Sequence, residues 1–156
     1  MIEQGRAKYP VREVVLHTAA VPTGWHKGKS DQDVLEAFWN WHVKGRGWRK
    51  IGYHRIFLPD GRILYDTDYL RSLWEIGAHV AERNRGTLGF CMLNVKTHSG
   101  IGRFEDYFTD AQRFSVTGLI AEINRDYGGI ERVTGHNDYT NGKECPGFKV
   151  NSGDWL

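Results

Sequence analysis

Apolar positions along this chain follow two periods, one suited to strands and one to helices. From Arg12 to His17 the run Val14-Val15-Leu16 is short, apolar and partly β-branched, and a Pro- and Gly-containing segment follows Thr18. This predicts a strand with His17 at its carboxyl end. Ser30 reads as a helix N-cap with Asp31 and Asp33 in the first turn. Val34, Leu35, Phe38, Trp41 and His42 then share one helical face up to Gly45. Tyr53 to Leu58, the turn Pro59-Asp60-Gly61 and Arg62 to Tyr65 read as a hairpin. Leu88 to Asn94 is a second apolar strand. Between Thr109 and Tyr127 the residues Phe114, Ile120 and Ile123, with Ala111, Val116 and Leu119 nearby, mark a broad helical stripe closed by Gly128-Gly129. A last strand, Ile130 to Thr134, delivers Gly135-His136, after which Asn, Gly, Lys and Pro predict irregular structure. Strands and helices alternate without repeats or low-complexity linkers. The expected fold class is α/β, a single domain over residues 1–156 with a central mixed β-sheet flanked by helices.

Composition narrows the functional classes. A chain of 156 residues can bury a continuous core without disulfides. No apolar run approaches the roughly 18 residues that span a bilayer, so membrane insertion is not expected. The formal charge is +2, from 21 basic and 19 acidic residues without a long basic run, which gives no reason to expect nucleic-acid binding. The first residues, Met-Ile-Glu-Gln-Gly-Arg-Ala-Lys, lead to no apolar h-region, so no secretory signal is expected and the chain should accumulate in the cytoplasm of the cell that makes it. Cys91 lies in an apolar run and reads as a small buried hydrophobe, so it and Cys145 are read as two unpaired thiols with separate roles.

Three residues offer metal chemistry. A hydrolytic zinc site needs three protein donors and one open position. His17 and His136 each fall at a predicted strand end, and Cys145 follows His136 by nine positions in a loop ending Cys145-Pro146-Gly147. On spacing alone, strand-end histidines and a loop cysteine also fit purely structural roles.

The stretch Val133-Thr134-Gly135-His136-Asn137-Asp138, followed by Lys143-Glu144-Cys145-Pro146-Gly147-Phe148, resembles the C-terminal signature of zinc N-acetylmuramoyl-L-alanine amidases and the related peptidoglycan recognition proteins. Val15-Leu16-His17-Thr18, Trp48, Ile51 to His54, and Gly77-Ala78-His79 with Asn84, Thr87-Leu88-Gly89 and Cys91 follow in family order. The blocks run from about His17 to Phe148, nearly the whole chain. The Lys-x-Cys arrangement is most similar to the small amidase-type endolysins of T-odd coliphages.

The resemblance implies one Zn2+ per chain on His17, His136 and Cys145, with Tyr53 and Lys143 required for catalysis. It implies peptidoglycan as substrate, cut at the amide between N-acetylmuramic acid and L-alanine. It also implies a phage endolysin that acts on the wall of its host from the bacterial cytoplasm, with functional dependence on a holin that permeabilises the membrane. His79 and Asn84 stand as substrate-contact candidates, His79 being placed at a groove rim. Arg85-Gly86-Thr87 departs from the family pattern around Asn84, and the loop Asn137 to Gly142 is particular to this chain. Blander readings remain beside these: Tyr53 as a strand aromatic, Lys143 as a solvated loop lysine, and most of the tryptophans as core. His54 is expected to point away from Tyr53 and pack, and His26, His42 and His98 are not expected to be ligands. The competing functional readings are a non-catalytic peptidoglycan-binding module of the same fold, against which Cys145 counts, and a zinc peptidase acting within the stem peptide. The residues do not assign a general base.

Overall fold

The strand predicted around His17 lies in the interior of the sheet. The computed structural model describes residues 1–156. A small antiparallel hairpin, β1 (Glu3–Gln4) with β2 (Tyr9–Pro10), precedes β3 (Glu13–Thr18), all six residues of which are buried. Helix α1 (Asp31–Trp39) follows, then β4 (Arg55–Phe57), β5 (Ile63–Leu64), β6 (Thr87–Met92), a short α2 (Phe104–Tyr107), the long α3 (Asp110–Asp126) and β7 (Arg132–Gly135). The five-stranded sheet has the order β5-β4-β6-β3-β7. Only β5 is antiparallel to its neighbour, so the sheet is mixed, as expected.

Alternation along the central strands separates two faces. Val14, Leu16, Leu88, Phe90 and Met92 meet Val116, Ile120 and Ile123 of α3, forming the larger apolar cluster. Ile56 and Cys91 face the other way and meet Val34, Leu35 and Phe38 of α1. Glu13 and His17 also lie on this second face, because β3 pairs in register with β6, Glu13 opposite Thr87 and His17 opposite Cys91.

Helix α1 starts at the cap predicted for it, and α3 carries a cap of the same kind. Ser30 Oγ accepts the Asp33 N–H while Asp33 accepts the Ser30 N–H, and Thr109 and Gln112 form the same reciprocal box at α3. Two expectations are corrected. The stripe on α3 is Gln112, Val116, Ile120 and Ile123, whereas Phe114 is 80% exposed on the opposite side. Gln112 earns an interior place by donating to the Phe57 and Leu93 carbonyls, at 3.0 and 2.8 Å, at the ends of β4 and β6. The α1 face does not continue regularly to His42, because Asn40–Lys44 form a π-helical turn closed by the Gly45 N–H on the Asn40 carbonyl. Trp41 is thereby left partly exposed against Phe38 and Trp25.

Candidate metal centre and active site

The parallel strands β3 and β7 end side by side, Leu16 opposite Gly135, so the next residues, His17 and His136, emerge at the same edge of the sheet. Gly135, itself extended, lets the turn that follows pack closely against the strand end, since a side chain there would meet Asn137 Oδ1 at 2.5 Å. Asp138 then accepts the Gly135 N–H, and the Asn137 N–H bonds the Cys145 carbonyl at 2.8 Å, folding the cysteine back over the histidines. The Thr18 N–H reaches Cys145 Sγ at 3.3 Å.

One nitrogen from each histidine and the Cys145 sulfur lie within 4.8 Å of one another. His17 Nδ1 is 3.8 Å from Sγ. Zinc bonds of about 2.3 Å to sulfur and 2.0 Å to nitrogen at a tetrahedral angle would set such donors roughly 3.5 Å apart, so the residues present fit a tetrahedral metal with one open position. Their protonation fits as well. Burial holds the His17 imidazole well below its ordinary pKa, and the neighbouring His79 and His136 add to this. His136 is lowered by burial and by the charge of Lys143. Both rings are therefore neutral near pH 7, the state that offers a lone pair. Burial pushes the Cys145 thiol up to about 11, partly offset by the Thr18 N–H and Lys143, and a metal would be needed to hold it as thiolate.

Tyr53 stands beside this trio, its ring centroid 5.1 Å from His17, with Phe38 and His42 packed on it at 6.1 and 5.3 Å. Burial, and then the Cys91 and Cys145 thiols, hold its phenol well above the usual pKa, so it is a hydrogen-bond donor at neutral pH. Lys143 is exposed, but its charge reaches both His136 and Cys145. The two residues expected to contact substrate both make hydrogen bonds within the protein, His79 buried and Asn84 half-buried at the surface. His79 is only 8% exposed and its Nδ1 lies 2.9 Å from His17 Nε2. Asn84 Oδ1 accepts the His79 and Val80 N–H groups at 2.8 and 2.9 Å. His54 packs, as expected, with Nδ1 accepting the Gly89 N–H and Nε2 donating to the Glu75 carbonyl.

Sequence reasoning passed over Glu13 and Thr18. The Glu13 carboxylate is fully buried and accepts from Arg83, Arg132, Thr134 and Tyr139, joining β3 to β7 and to the loop after His136. Burial alone would raise its pKa, yet the donors outweigh burial and hold it below the usual carboxylate value. An acidic residue on the His17 side of the β3 alternation was the available signal. Thr18, beyond its N–H, holds Asn94 and His98 through Oγ1.

With this arrangement in view, the comparisons with known proteins converge. The family model described as N-acetylmuramoyl-L-alanine amidase matches residues 7–148, and the chain belongs to that family. Among solved structures, the endolysin N-acetylmuramoyl-L-alanine amidase LysCS from Clostridium intestinale URNW is similar at 26% identity and a TM-score of 0.63, over 90% of this chain and 78% of that one. Drosophila PGRP-LB is similar at 22% identity and a TM-score of 0.71, over 93% and 78%. The peptidoglycan recognition protein LE, in complex with tracheal cytotoxin, shares 25% identity at a TM-score of 0.69, over 94% and 78%. No curated protein sequence matches the chain. No helix is long and apolar enough to cross a membrane.

Proposed function

We propose that this chain is a zinc-dependent hydrolase of the amide between the lactyl group of N-acetylmuramic acid and L-alanine in peptidoglycan. The observation that carries the reading is the convergence of His17, His136 and Cys145 at one sheet edge in a member of the amidase family. These three residues would hold one Zn2+, which when bound supplies a Lewis acid able to activate water and polarise the scissile carbonyl. Amide hydrolysis passes through a tetrahedral oxyanion, and the surrounding residues are suited to it. Tyr53, kept protonated by burial, donates a hydrogen bond to the oxygen as it becomes negative. Lys143 brings positive charge close to His136 and Cys145 of the donor set. Thr18 steadies the Cys145 sulfur through its backbone N–H.

Digestion of purified peptidoglycan tests the reaction. An amidase releases new L-alanine amino termini and leaves the glycan intact, whereas a stem peptidase exposes a different amino terminus. Sedimentation with the wall and no release would support a binding module, a reading that the likeness to a recognition protein bound to tracheal cytotoxin keeps in play. The likeness to an endolysin supports a role in phage-induced host lysis. In that role the enzyme resides in the host cytoplasm until a holin opens the inner membrane. Expression in a bacterial cytoplasm checks this: lysis should follow membrane permeabilisation rapidly, and efficient lysis without it would reject the dependence.

A further inference from the structure

His79 occupies a space made for it behind His17. Its ring lies over Gly89 of β6, where any β-carbon would come within 2.5 Å of His79 Cγ. On one side Nδ1 is 2.9 Å from His17 Nε2; on the other Nε2 is 3.1 Å from Thr87 Oγ1. Thr87 Oγ1 in turn lies 2.8 Å from the Arg83 carbonyl and 3.1 Å from the Asn84 carbonyl. The turn that carries His79 is pinned by Asn84, whose side chain takes two backbone N–H groups.

The direction of this chain of hydrogen bonds follows from its far end. Backbone carbonyls only accept, so the single Thr87 hydroxyl proton is committed to Arg83 or Asn84, and Oγ1 can only accept from His79. His79 then carries its proton on Nε2, and its Nδ1 is an acceptor. The His17 Nε2–H must therefore be the donor across the 2.9 Å contact, which leaves His17 Nδ1 with a free lone pair. Nδ1 is the nitrogen that faces Cys145 Sγ at 3.8 Å. The reverse polarity would place the His17 proton on Nδ1 and block it as a ligand. Both rings are buried, which disfavours the doubly protonated imidazolium that would make the polarity ambiguous.

We infer that His79, oriented by Thr87, is a positioning residue that fixes the tautomer and ring orientation of His17 before metal arrives. The inference rests on the zinc reading for its purpose, though the tautomer itself is a property of the protein alone. It removes His79 from the substrate groove and gives it a role in metal affinity.

Nitrogen NMR of the metal-free protein, with the histidine rings labelled, reads the tautomer directly. His17 should be protonated at Nε2 and His79 also at Nε2. A proton on His17 Nδ1 would overturn the inference whatever the zinc result. Zinc affinity, measured by competition with a chromophoric chelator, gives the second readout. His79→Leu should weaken zinc about 10- to 100-fold, the usual cost of losing the partner of a ligating histidine. His79→Asn, whose Oδ1 sits near the position of Nδ1 and can accept the same proton, should recover most of that loss. Equal affinity of folded His79→Leu and wild type would reject the role, as would an Asn variant no better than Leu. Should His79→Leu fail to fold, Thr87→Val removes the orienting hydroxyl with little change of shape. It should give a mixture of His17 tautomers, and an unchanged single tautomer would count against the relay. Wild-type protein that binds no zinc would sink the proposed function, yet the tautomer measurement would still decide the inference.

Discussion

The two faces of the central sheet have been given opposite tasks by one alternating pattern. On the α3 side, Val14, Leu16, Phe90 and Met92 are fully buried in an apolar cluster and touch nothing that could do chemistry. On the α1 side of the same strands, Glu13, His17 and Thr87 are just as buried but are polar, and each is tied to several partners. Apolar packing tolerates neighbours of roughly the right volume, whereas buried polar groups need each donor and acceptor in place. The site can therefore be exacting because the face behind it supplies cohesion that does not depend on it.

The sharpest way to break this comparison is to strike each face separately. Cys145→Ala should abolish zinc binding and lower turnover by at least about 10³-fold, the several kcal/mol that a catalytic metal contributes, while the metal-free protein keeps its stability. Phe90→Ala should do the reverse, costing about 3–5 kcal/mol in urea unfolding while the folded fraction retains zinc at full stoichiometry. Full activity in Cys145→Ala would mean that another residue supplies the third donor. Loss of zinc from folded Phe90→Ala would show that the two faces are not separable.

Next in size is a pH effect confined to the polar face. Burial lowers the His54 pKa from 6.5 to about 4, and its hydrogen bonds to Gly89 and Glu75 fix the neutral ring. Between those values the unfolded chain binds a proton that the folded chain does not, so stability falls as pH drops from 6.5 toward 4 and is insensitive to this group above 6.5. The shift corresponds to about 3 kcal/mol. Urea unfolding of chelator-treated protein at pH 7 and pH 4.5 reads this loss together with those of His17, His42 and His79, whose pKa values burial also lowers. The His54 share is the part of the drop that disappears in His54→Gln, and equal stability of the wild type at both pH values would contradict the buried neutral rings.

A smaller loss is expected at the residues beside the donors. Tyr53→Phe should cut turnover about 10²-fold, the scale for removing one hydrogen bond to an oxyanion, with zinc retained. Loss of zinc from that variant would make Tyr53 a support of the metal site instead.

How much of this was legible in the sequence differs between the faces. His17, His136 and Cys145 were identifiable as a set through the family blocks around them. From residues alone the set stayed open, because nothing in the spacing tells that Leu16 pairs with Gly135 and so brings both histidines to one edge. His79 and Asn84 were visible as special residues but not in their surroundings. That a glycine one strand over vacates room for an imidazole is a tertiary fact. The strands were read within a residue or two, except for the two-residue β1 and β2, too short to show any period. Trp41 was misjudged because the π-helical turn after α1 breaks the 3.6-residue count on which the helical face was drawn.

Phe114 gives the smallest and most discriminating test of how the apolar face is drawn. A helical stripe counted from Phe114, Ile120 and Ile123 makes it core, and replacing a core phenylalanine by a small residue costs about 3–5 kcal/mol. In the structure the stripe runs through Gln112, Val116, Ile120 and Ile123, with Phe114 80% exposed. Two residues along a helix is a rotation of about 200°, so Gln112 and Val116 cannot share their inward face with it. Phe114→Ser should therefore change stability by no more than about 0.5 kcal/mol in urea unfolding, as surface substitutions do, and leave zinc content untouched. A loss of several kcal/mol would move Phe114 back into the α3 core and, with it, redraw the face that holds the sheet behind the metal donors.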